Sequence, residues 1–207
     1  MLRYAITDRT LFPGDESQQQ AKLVEQARLW ARSGVDLIQL REKDLAPADL
    51  VEPTKRMLVA IAEEASATRL ILNGSLAIAA EVQAHGVHLS THSPLRPYDV
   101  RRRYEKFHLP SPVVTVSCHT LAEVQIARRN HADAILFAPV FGKTVRGEIV
   151  TPPAGLDVLH QACLAAAPVP VYALGGVTAE NAPQCLAAGA AGIAGIRLFL
   201  GYTCPVA

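Results

Sequence analysis

Short apolar runs recur along the chain and alternate with longer stretches in which apolar residues have helical spacing, as with Leu121, Val124 and Ala127. An uninterrupted apolar run is typical of a strand buried on both faces, as in a parallel sheet. The pattern predicts eight strands, near residues 3–7, 35–40, 69–72, 86–89, 113–117, 133–137, 169–174 and 191–196, with crossover helices between them.

Eight strand–helix units in 207 residues favour a compact (β/α)8 TIM barrel over an open doubly wound sheet, as one domain over residues 1–207. The longest stretch without periodicity, residues 138–153, follows the sixth strand and is expected to be a functional loop on the catalytic face. Few residues follow the eighth strand, so the last helix is predicted to be short or missing. The apolar flank left open there favours a homodimer.

Composition excludes several classes of function. The chain is 50% hydrophobic but only 5% aromatic, which indicates a layered aliphatic interior. A net charge of +1 argues against a nucleic-acid or anionic membrane partner, so phosphate would have to be held by local cations. Residues 1–8 resemble a strand rather than a signal peptide, and no apolar stretch reaches the roughly 20 residues that span a bilayer. A cytoplasmic location is therefore expected.

In a barrel, the carboxyl ends of all strands meet on one face, and polar residues or glycines follow nearly every predicted strand. They are Asp8; Gln39, Arg41 and Lys43; Asn73; His88 and residues 90–93; Ser117 and His119; Lys143 and Arg146; Gly175 and Gly176; and Arg197. This set is larger than core packing requires, so these residues are the candidate site.

The second strand end carries the most specific chemistry. A strand period of two places Gln39, Arg41 and Lys43 on one side, where an amide, a guanidinium and an ammonium can converge on a phosphorylated ligand. The alternative is that both cations are solvated loop charges beside Glu42 and Asp44.

Gly175 and Gly176 follow an apolar run and precede a predicted capped helix. Glycines allow close approach of the backbone to an anion, and the seventh and eighth loops of a barrel commonly bind phosphate. A tight turn without a ligand is the alternative. No metal site is expected at the HxxH pair His85 and His88. The four cysteines lack zinc-ligand spacing and indicate reduced thiols, and Cys118 is expected to be inert.

Eight motifs in collinear order resemble the thiamin phosphate synthase and thiazole tautomerase superfamily over nearly the whole chain. They lie at residues 4–8 (YAITD), 39–43 (QLREK), 72–73 (LN), 86–89 (GVHL), 116–120 (VSCHT), 137–141 (FAPVF), 173–177 (ALGGV) and 188–194 (AGAAGIA).

For a synthase, the resemblance implies that hydroxymethylpyrimidine diphosphate loses pyrophosphate and that the nitrogen of a thiazole phosphate captures the pyrimidine cation. Arg41 and Lys43 would stabilise the leaving group. The positions implied for the diphosphate substrate are Gln39, Arg41, Lys43, Asn73, Ser117 and Arg146. Those implied for the thiazole phosphate are Lys143, Thr144, Gly175, Gly176, Ile196 and Arg197.

The chain departs from the synthase pattern at the metal. Gly74 and Ser93 stand where the superfamily has the carboxylates that bind Mg²⁺, so any Mg²⁺ would depend on substrate oxygens, water and neutral groups. The phosphate-loop pattern Thr-x-Thr-Lys is replaced by Lys143, Thr144, Val145 and Arg146. We expect Lys143, Arg146 and Arg197 to substitute for the missing metal charge.

The tautomerase branch also has Asn-Gly and a Ser-rich segment at the two metal positions, but its catalytic histidine corresponds to Pro139. His119 or His92 would then have to supply the acid or base. The sequence therefore leaves three functions open: a synthase, a thiazole phosphate tautomerase, and a non-catalytic regulatory paralogue that binds phosphorylated thiamin precursors.

Overall fold

Eight parallel strands form a closed barrel in this computed structural model, which confirms the predicted TIM-barrel fold. The structure describes residues 1–145 and 148–200, and only the backbone of residues 143–145 and 148–150. The strands are β1 (Leu2–Ile6), β2 (Leu37–Leu40), β3 (Arg69–Asn73), β4 (Gly86–Leu89), β5 (Val113–Cys118), β6 (Ala134–Phe137), β7 (Lys143–Val145), β8 (Glu148–Thr151), β9 (Val171–Ala173) and β10 (Gly192–Gly195). The barrel order is β1-β10-β9-β6-β5-β4-β3-β2.

Helices cover the outside of the barrel: α1 (Glu16–Arg32), α2 (Val51–Ala62), α3 (Leu76–Glu81), α4 (Pro97–Lys106), α5 (Leu121–Arg129), α6 (Leu156–Ala166) and α7 (Ala182–Ala187). Several begin at sequence-encoded caps. Asp15 and Gln18 form a capping box at α1, and Thr120 and Glu123 form one at α5. None of the described helices is long and apolar enough to cross a membrane.

Two apolar layers form the core. Inside the barrel, Tyr4 and Tyr172 meet edge to face with ring centroids 5.3 Å apart, among Ile6, Ile71 and Leu136. Outside the barrel, helix side chains such as the buried Trp30 pack on the alternate strand residues. The strand period of two thus assigns one set of side chains to the interior and the other to the helices.

The loop after β6 contains an element that the sequence pattern did not predict. Residues 138–153 were expected to lack regular structure, but β7 and β8 pair antiparallel within them. Two backbone hydrogen bonds join the ends of this loop: Pro139 O accepts from Ala154 N at 2.8 Å, and Val140 O accepts from Gly155 N at 3.0 Å. The loop therefore leaves and re-enters the barrel rim as a paired ribbon.

Up to residue 200, the described chain has no helix after β10, and the predicted short or missing last helix falls on residues 201–207, outside the described residues. Residues 198–200 form a turn. Phe199 is 1% exposed, and its carbonyl oxygen accepts a 2.8 Å hydrogen bond from Trp30 Nε1. Leu198 and Leu200 pack against the same core cluster. The turn thus fills part of the flank that was expected to be open, and residues 201–207 lie outside the described chain.

Candidate active site

A hydrogen-bonded chain of polar side chains crosses the upper interior of the barrel. It begins at Ser117 on β5, whose Oγ lies 2.9 Å from Nε2 of His88 on β4. The other ring nitrogen of His88, Nδ1, lies 2.8 Å from Oγ1 of Thr115. Thr115 and Ser117 both point inward because they are two residues apart on one strand.

The same chain continues to the opposite wall. Thr115 Oγ1 lies 3.1 Å from the hydroxyl of Tyr4 on β1, which lies 3.2 Å from Gln39 Oε1 on β2. Gln39 Nε2 then donates to Asn73 Oδ1 on β3 at 2.9 Å. Four candidate residues, Gln39, Asn73, His88 and Ser117, are thereby joined through Tyr4 and Thr115, which were not among the candidates.

Burial keeps the side chains of this hydrogen-bonded series uncharged. His88 is 3% exposed, and burial, assisted by the positive charge of Arg41, lowers the pKa of its imidazole to about 3. Burial also raises the pKa of the Tyr4 phenol. At neutral pH the barrel interior therefore contains a neutral imidazole and a neutral phenol, both available as hydrogen-bond partners.

Arg41 and Lys43 lie at the rim beyond this chain, but not for the predicted reason. Strand β2 ends at Leu40, so the strand alternation does not extend to them. Instead, Thr7 Oγ1 accepts from the Arg41 backbone N–H at 2.9 Å and donates to Glu42 Oε1 at 2.5 Å. Arg41 is half-buried, Lys43 is exposed, and neither has an ion-pair partner among the described side chains.

The acidic neighbours of these cations are held by Arg9. Its buried guanidinium donates to Glu42 at 3.2 Å, to Asp44 at 2.8 Å and to Glu16 at 2.8 Å. These contacts lower the pKa values of the Asp44 and Glu16 carboxyls. The sequence allowed Glu42 and Asp44 to neutralise Arg41 and Lys43, and the structure pairs them with Arg9 instead.

Gly175 and Gly176 have φ angles of +91° and +68°, which favour glycine. A Cβ at Gly175 would lie 2.7 Å from Pro139 Cα, and one at Gly176 would lie 2.8 Å from Phe141 Cβ. Loop packing alone therefore requires both glycines. Within the described chain, the backbone N–H groups of Gly175, Gly176 and Val177 have no acceptor, which leaves three donors for an anion. The predicted capped helix begins only at Ala182 and is six residues long.

The remaining residues assigned to the thiazole phosphate are less defined. Ile196 packs against the interior cluster, and Arg197 is exposed in the turn after β10. Lys143 and Thr144 lie on β7, where only the backbone is described, and Arg146 lies outside the described residues. The role of these loop residues stays a prediction.

The candidate acid–base histidines lie apart from the buried chain. The ring of exposed His119 places Nδ1 2.6 Å from the carbonyl oxygen of Ala138, so Nδ1 carries the proton. His92 is exposed in the loop after β4. Cys118 is buried, which raises the pKa of its thiol to about 12, in keeping with the expected inert cysteine.

The donor set does not fit a carboxylate-held Mg²⁺. Gly74 has φ of +72° and open space where a side chain would project, and Ser93 Oγ accepts from the Leu95 N–H at 3.2 Å. Across the described residues, no group of three or more histidine, cysteine or acidic side chains forms a metal cluster. Mg²⁺ is a hard cation that prefers carboxylate and phosphate oxygens, and neither position supplies a carboxylate.

Four residues of this site were not among the candidates, namely Tyr4, Arg9, Glu42 and Thr115, and His88 was a candidate only by its position at a strand end. The spacing of Thr115 and Ser117 indicated a shared inward face, but it did not identify their partners. The Arg9–Glu42 contact joins residues 33 apart in the chain, and no local pattern marks it.

Comparisons with known proteins agree with this geometry. A profile of the thiamine monophosphate synthase family matches residues 3–199. A protein of Aquifex aeolicus, provisionally named thiamine-phosphate synthase 2, is 35% identical over 197 residues, which cover 95% of this chain and 96% of that protein. A thiamine-phosphate synthase of Methanoculleus marisnigri is 33% identical over 96% of this chain and 87% of its own.

A solved structure extends the likeness to three dimensions. A thiamine phosphate pyrophosphorylase from Pyrococcus furiosus superimposes with a TM-score of 0.75 at 25% identity, over 98% of this chain and 89% of its own. Sequence and fold therefore agree, and the chain belongs to the thiamine monophosphate synthase family.

Proposed function

We propose that the chain is a thiamin biosynthesis enzyme that joins hydroxymethylpyrimidine diphosphate to a thiazole phosphate. The bond between the pyrimidine methylene carbon and the diphosphate oxygen breaks, and pyrophosphate leaves with the electron pair. The thiazole nitrogen donates its lone pair to the carbon and becomes the thiazolium nitrogen. Family membership supports this transfer over tautomerisation, and Pro139 offers no proton-transfer group at the position where the tautomerase branch has histidine.

One observation carries the proposal: Arg41 and Lys43, which have no ion-pair partner among the described side chains, lie at the rim beyond a hydrogen-bonded set of neutral polar groups. Gln39, Asn73 and Ser117 converge through one hydrogen-bonded chain, and Arg41 lies close enough to affect the ionisation of His88 within it. Cations held in place by the protein stabilise a departing diphosphate without the cost of reorienting solvent. Arg41 and Lys43 therefore face the diphosphate in this proposal, and the neutral side chain of Ser117 faces the pyrimidine.

The thiazole phosphate belongs at the β9 loop in this proposal. The backbone N–H groups of residues 175–177, which have no acceptor within the described chain, are donors for phosphate oxygens in this proposal. Arg197, and Lys143 and Arg146 from the β6 loop, add positive charge. The apolar side chains of Ile196 and Leu174 pack at the top of the interior cluster beside this set, where they support the thiazole ring.

The charge of the leaving group is balanced mainly by side chains, because the two usual carboxylates are replaced by Gly74 and Ser93. Any Mg²⁺ would depend on substrate oxygens, water and neutral groups, because neither position supplies a carboxylate. The proposal also includes a cytoplasmic location, phosphorylated small molecules as ligands and a homodimer, which sedimentation of the purified chain would test.

The test is incubation of the purified chain with both phosphorylated precursors, with and without Mg²⁺, while thiamin phosphate and pyrophosphate are measured. We expect both products in equal amounts, with a modest dependence on Mg²⁺. Lys43→Met should lower the rate by about tenfold or more, whereas Lys55→Met, an exposed lysine on α2, should not change it.

No product under either condition would overturn the synthase. Binding of the precursors without turnover would then identify a regulatory paralogue. Interconversion of thiazole phosphate carboxylate isomers would identify a tautomerase, and His119→Ala and His92→Ala would show which histidine serves it.

A further inference from the structure

We infer that the buried chain from Ser117 to Asn73 is a one-way series of hydrogen-bond donors, which makes Ser117 an acceptor and Asn73 a donor toward the substrate. Tyr4, Thr115 and His88 are then positioning residues that determine which ligand groups the site accepts. The inference deepens the proposed function, and its first test needs no substrate.

The direction of the series is determined at Gln39. Its Nε2 donates to Asn73 Oδ1, so its Oε1 is the atom that faces Tyr4. An amide oxygen can only accept, and the Tyr4 hydroxyl has a single proton. The Tyr4 proton is therefore committed to Gln39, and its oxygen is left to accept a hydrogen bond from Thr115.

The same count of protons applies to the next two groups. Thr115 donates its only hydroxyl proton to Tyr4, so it can only accept from His88 Nδ1. The Nδ1 atom of His88 must then carry a proton. Because burial keeps the imidazole neutral, Nε2 has none and accepts from Ser117 Oγ. Each group has one possible role once its neighbour is assigned.

The two ends of the series differ in what they offer to a ligand. Ser117 and Asn73 are partly exposed, whereas the four groups between them are at most 3% exposed. Ser117 has given its proton to His88 and presents lone pairs alone, so it favours an N–H donor such as the amino group of an aminopyrimidine. Asn73 keeps its Nδ2 protons, which suit phosphate oxygens.

The first test is the tautomer of His88, measured by two-bond ¹H–¹⁵N correlation on histidine-labelled protein, with His88→Gln to assign the signals. We expect the Nδ1–H form in the unmodified chain. In Tyr4→Phe, Thr115 loses its acceptor and can donate to His88 Nδ1, so the proton should move to Nε2. Thr115→Val removes the Nδ1 acceptor directly and should produce the same shift.

Tyr104→Phe is the matched control. Tyr104 is a buried tyrosine whose hydroxyl donates to Ala84 O in the outer layer, so its variant should keep the Nδ1–H signal. An Nε2–H signal in the unmodified chain would overturn the inference, and so would an unchanged tautomer in Tyr4→Phe or Thr115→Val. Either variant alone tests the His88 tautomer, so if one of them does not fold, the other still provides the test.

The second test concerns substrate choice. The amino and oxo forms of the pyrimidine diphosphate are compared by kcat/KM, and the unmodified chain should favour the amino form by at least about tenfold. Tyr4→Phe should reduce this preference several-fold, because Ser117 regains a proton to donate, whereas Tyr104→Phe should preserve it. A preference unchanged by Tyr4→Phe would overturn the role in specificity. If neither pyrimidine reacts, the proposed function fails, while the tautomer still decides the inference.

Discussion

Single side chains set the electrostatics of this site. His88 and Arg9 are both buried, yet the structure treats them in opposite ways: the imidazole is kept neutral among hydroxyl groups, and the guanidinium is surrounded by three carboxylates. A buried charge is tolerated when it is paired, and a buried base without a counter-ion loses its proton. Protonating His88 or removing the charge of Arg9 should therefore lower the stability of the fold by a measurable amount.

The free energy of unfolding should decrease as the pH is lowered, and protonation of His88 in the unfolded chain should account for part of the decrease. Its folded pKa of about 3 lies below the value near 6.5 in the unfolded chain, so the unfolded state binds the proton first as the pH falls. The stabilisation is fully present above pH 6.5 and should fall by about 2 kcal/mol between pH 7 and pH 5. Urea unfolding should show His88→Gln losing less stability than the unmodified chain over this range. Equal losses would contradict the assignment.

Arg9→Met should destabilise the fold by about 3–5 kcal/mol, because it leaves the buried carboxylate of Glu42 without a counter-charge. Arg28→Met breaks the exposed ion pair with Glu63 and should cost less than about 1 kcal/mol, which makes it the control. Both are measured by denaturant unfolding. Comparable losses in the two variants would show that burial does not distinguish these ion pairs.

At the scale of elements, the rim is built where the loops after β6 and β9 touch. Phe141 N donates to Gly175 O at 2.9 Å, and Val140 N donates to Leu174 O at the same distance. The two glycines let the chains approach, and Asn181 Nδ2 fixes the turn by donating to Gly176 O at 2.9 Å. The proposed phosphate donors thus depend on contact between two loops.

Gly176→Ala should disturb this contact. The added methyl group would lie 2.8 Å from Phe141 Cβ and 2.9 Å from Gly142 O, at a φ that also disfavours alanine. We expect a loss of about 2–4 kcal/mol and weaker binding of thiazole phosphate, seen by calorimetry. Gly155→Ala has a φ of +86° but open space, so it should cost only about 1 kcal/mol and leave binding unchanged. If the two variants lose the same stability and the same binding, the backbone φ angle, and not the contact with Phe141, causes the loss.

The sequence predicts elements better than it predicts their partners. Strands predicted at residues 69–72, 86–89 and 113–117 are observed at Arg69–Asn73, Gly86–Leu89 and Val113–Cys118, because buried parallel strands are continuous apolar runs. The β7–β8 pair was missed because residues 143–151 have no such run. The contact of Tyr4 with Thr115 spans 111 positions and arises only from barrel closure, so no local pattern encodes it.

At the scale of the whole molecule, the end of the described chain is tied to its first helix. Phe199 lies under α1, and Trp30 Nε1 donates to the Phe199 carbonyl oxygen. Since β10 also pairs with β1, the beginning and end of the barrel are joined by strand pairing and by this turn. The turn therefore covers part of the apolar core that the last helix covers in a full (β/α)8 barrel.

Phe199→Ala should lower the free energy of unfolding by about 3–5 kcal/mol, because it empties a space closed by Trp30 and its neighbours. Phe107→Ala is the control: its ring is 50% exposed, and the variant should cost about 1 kcal/mol. Guanidinium unfolding measures both. A small loss for Phe199→Ala would show that the turn is not part of the cooperative core.

The arrangement around Arg9 also has a kinetic consequence. Arg9 engages the carboxylates of Glu16, Glu42 and Asp44, so they form no ion pair with Arg41 and Lys43, but one guanidinium offsets only one of the three negative charges. These six groups together carry no net charge, and a balanced cluster attracts anions little beyond about one Debye length, roughly 8 Å at physiological ionic strength. The proposed diphosphate ligand should therefore be captured only at close range, with an association rate constant that changes by less than about twofold as salt is added.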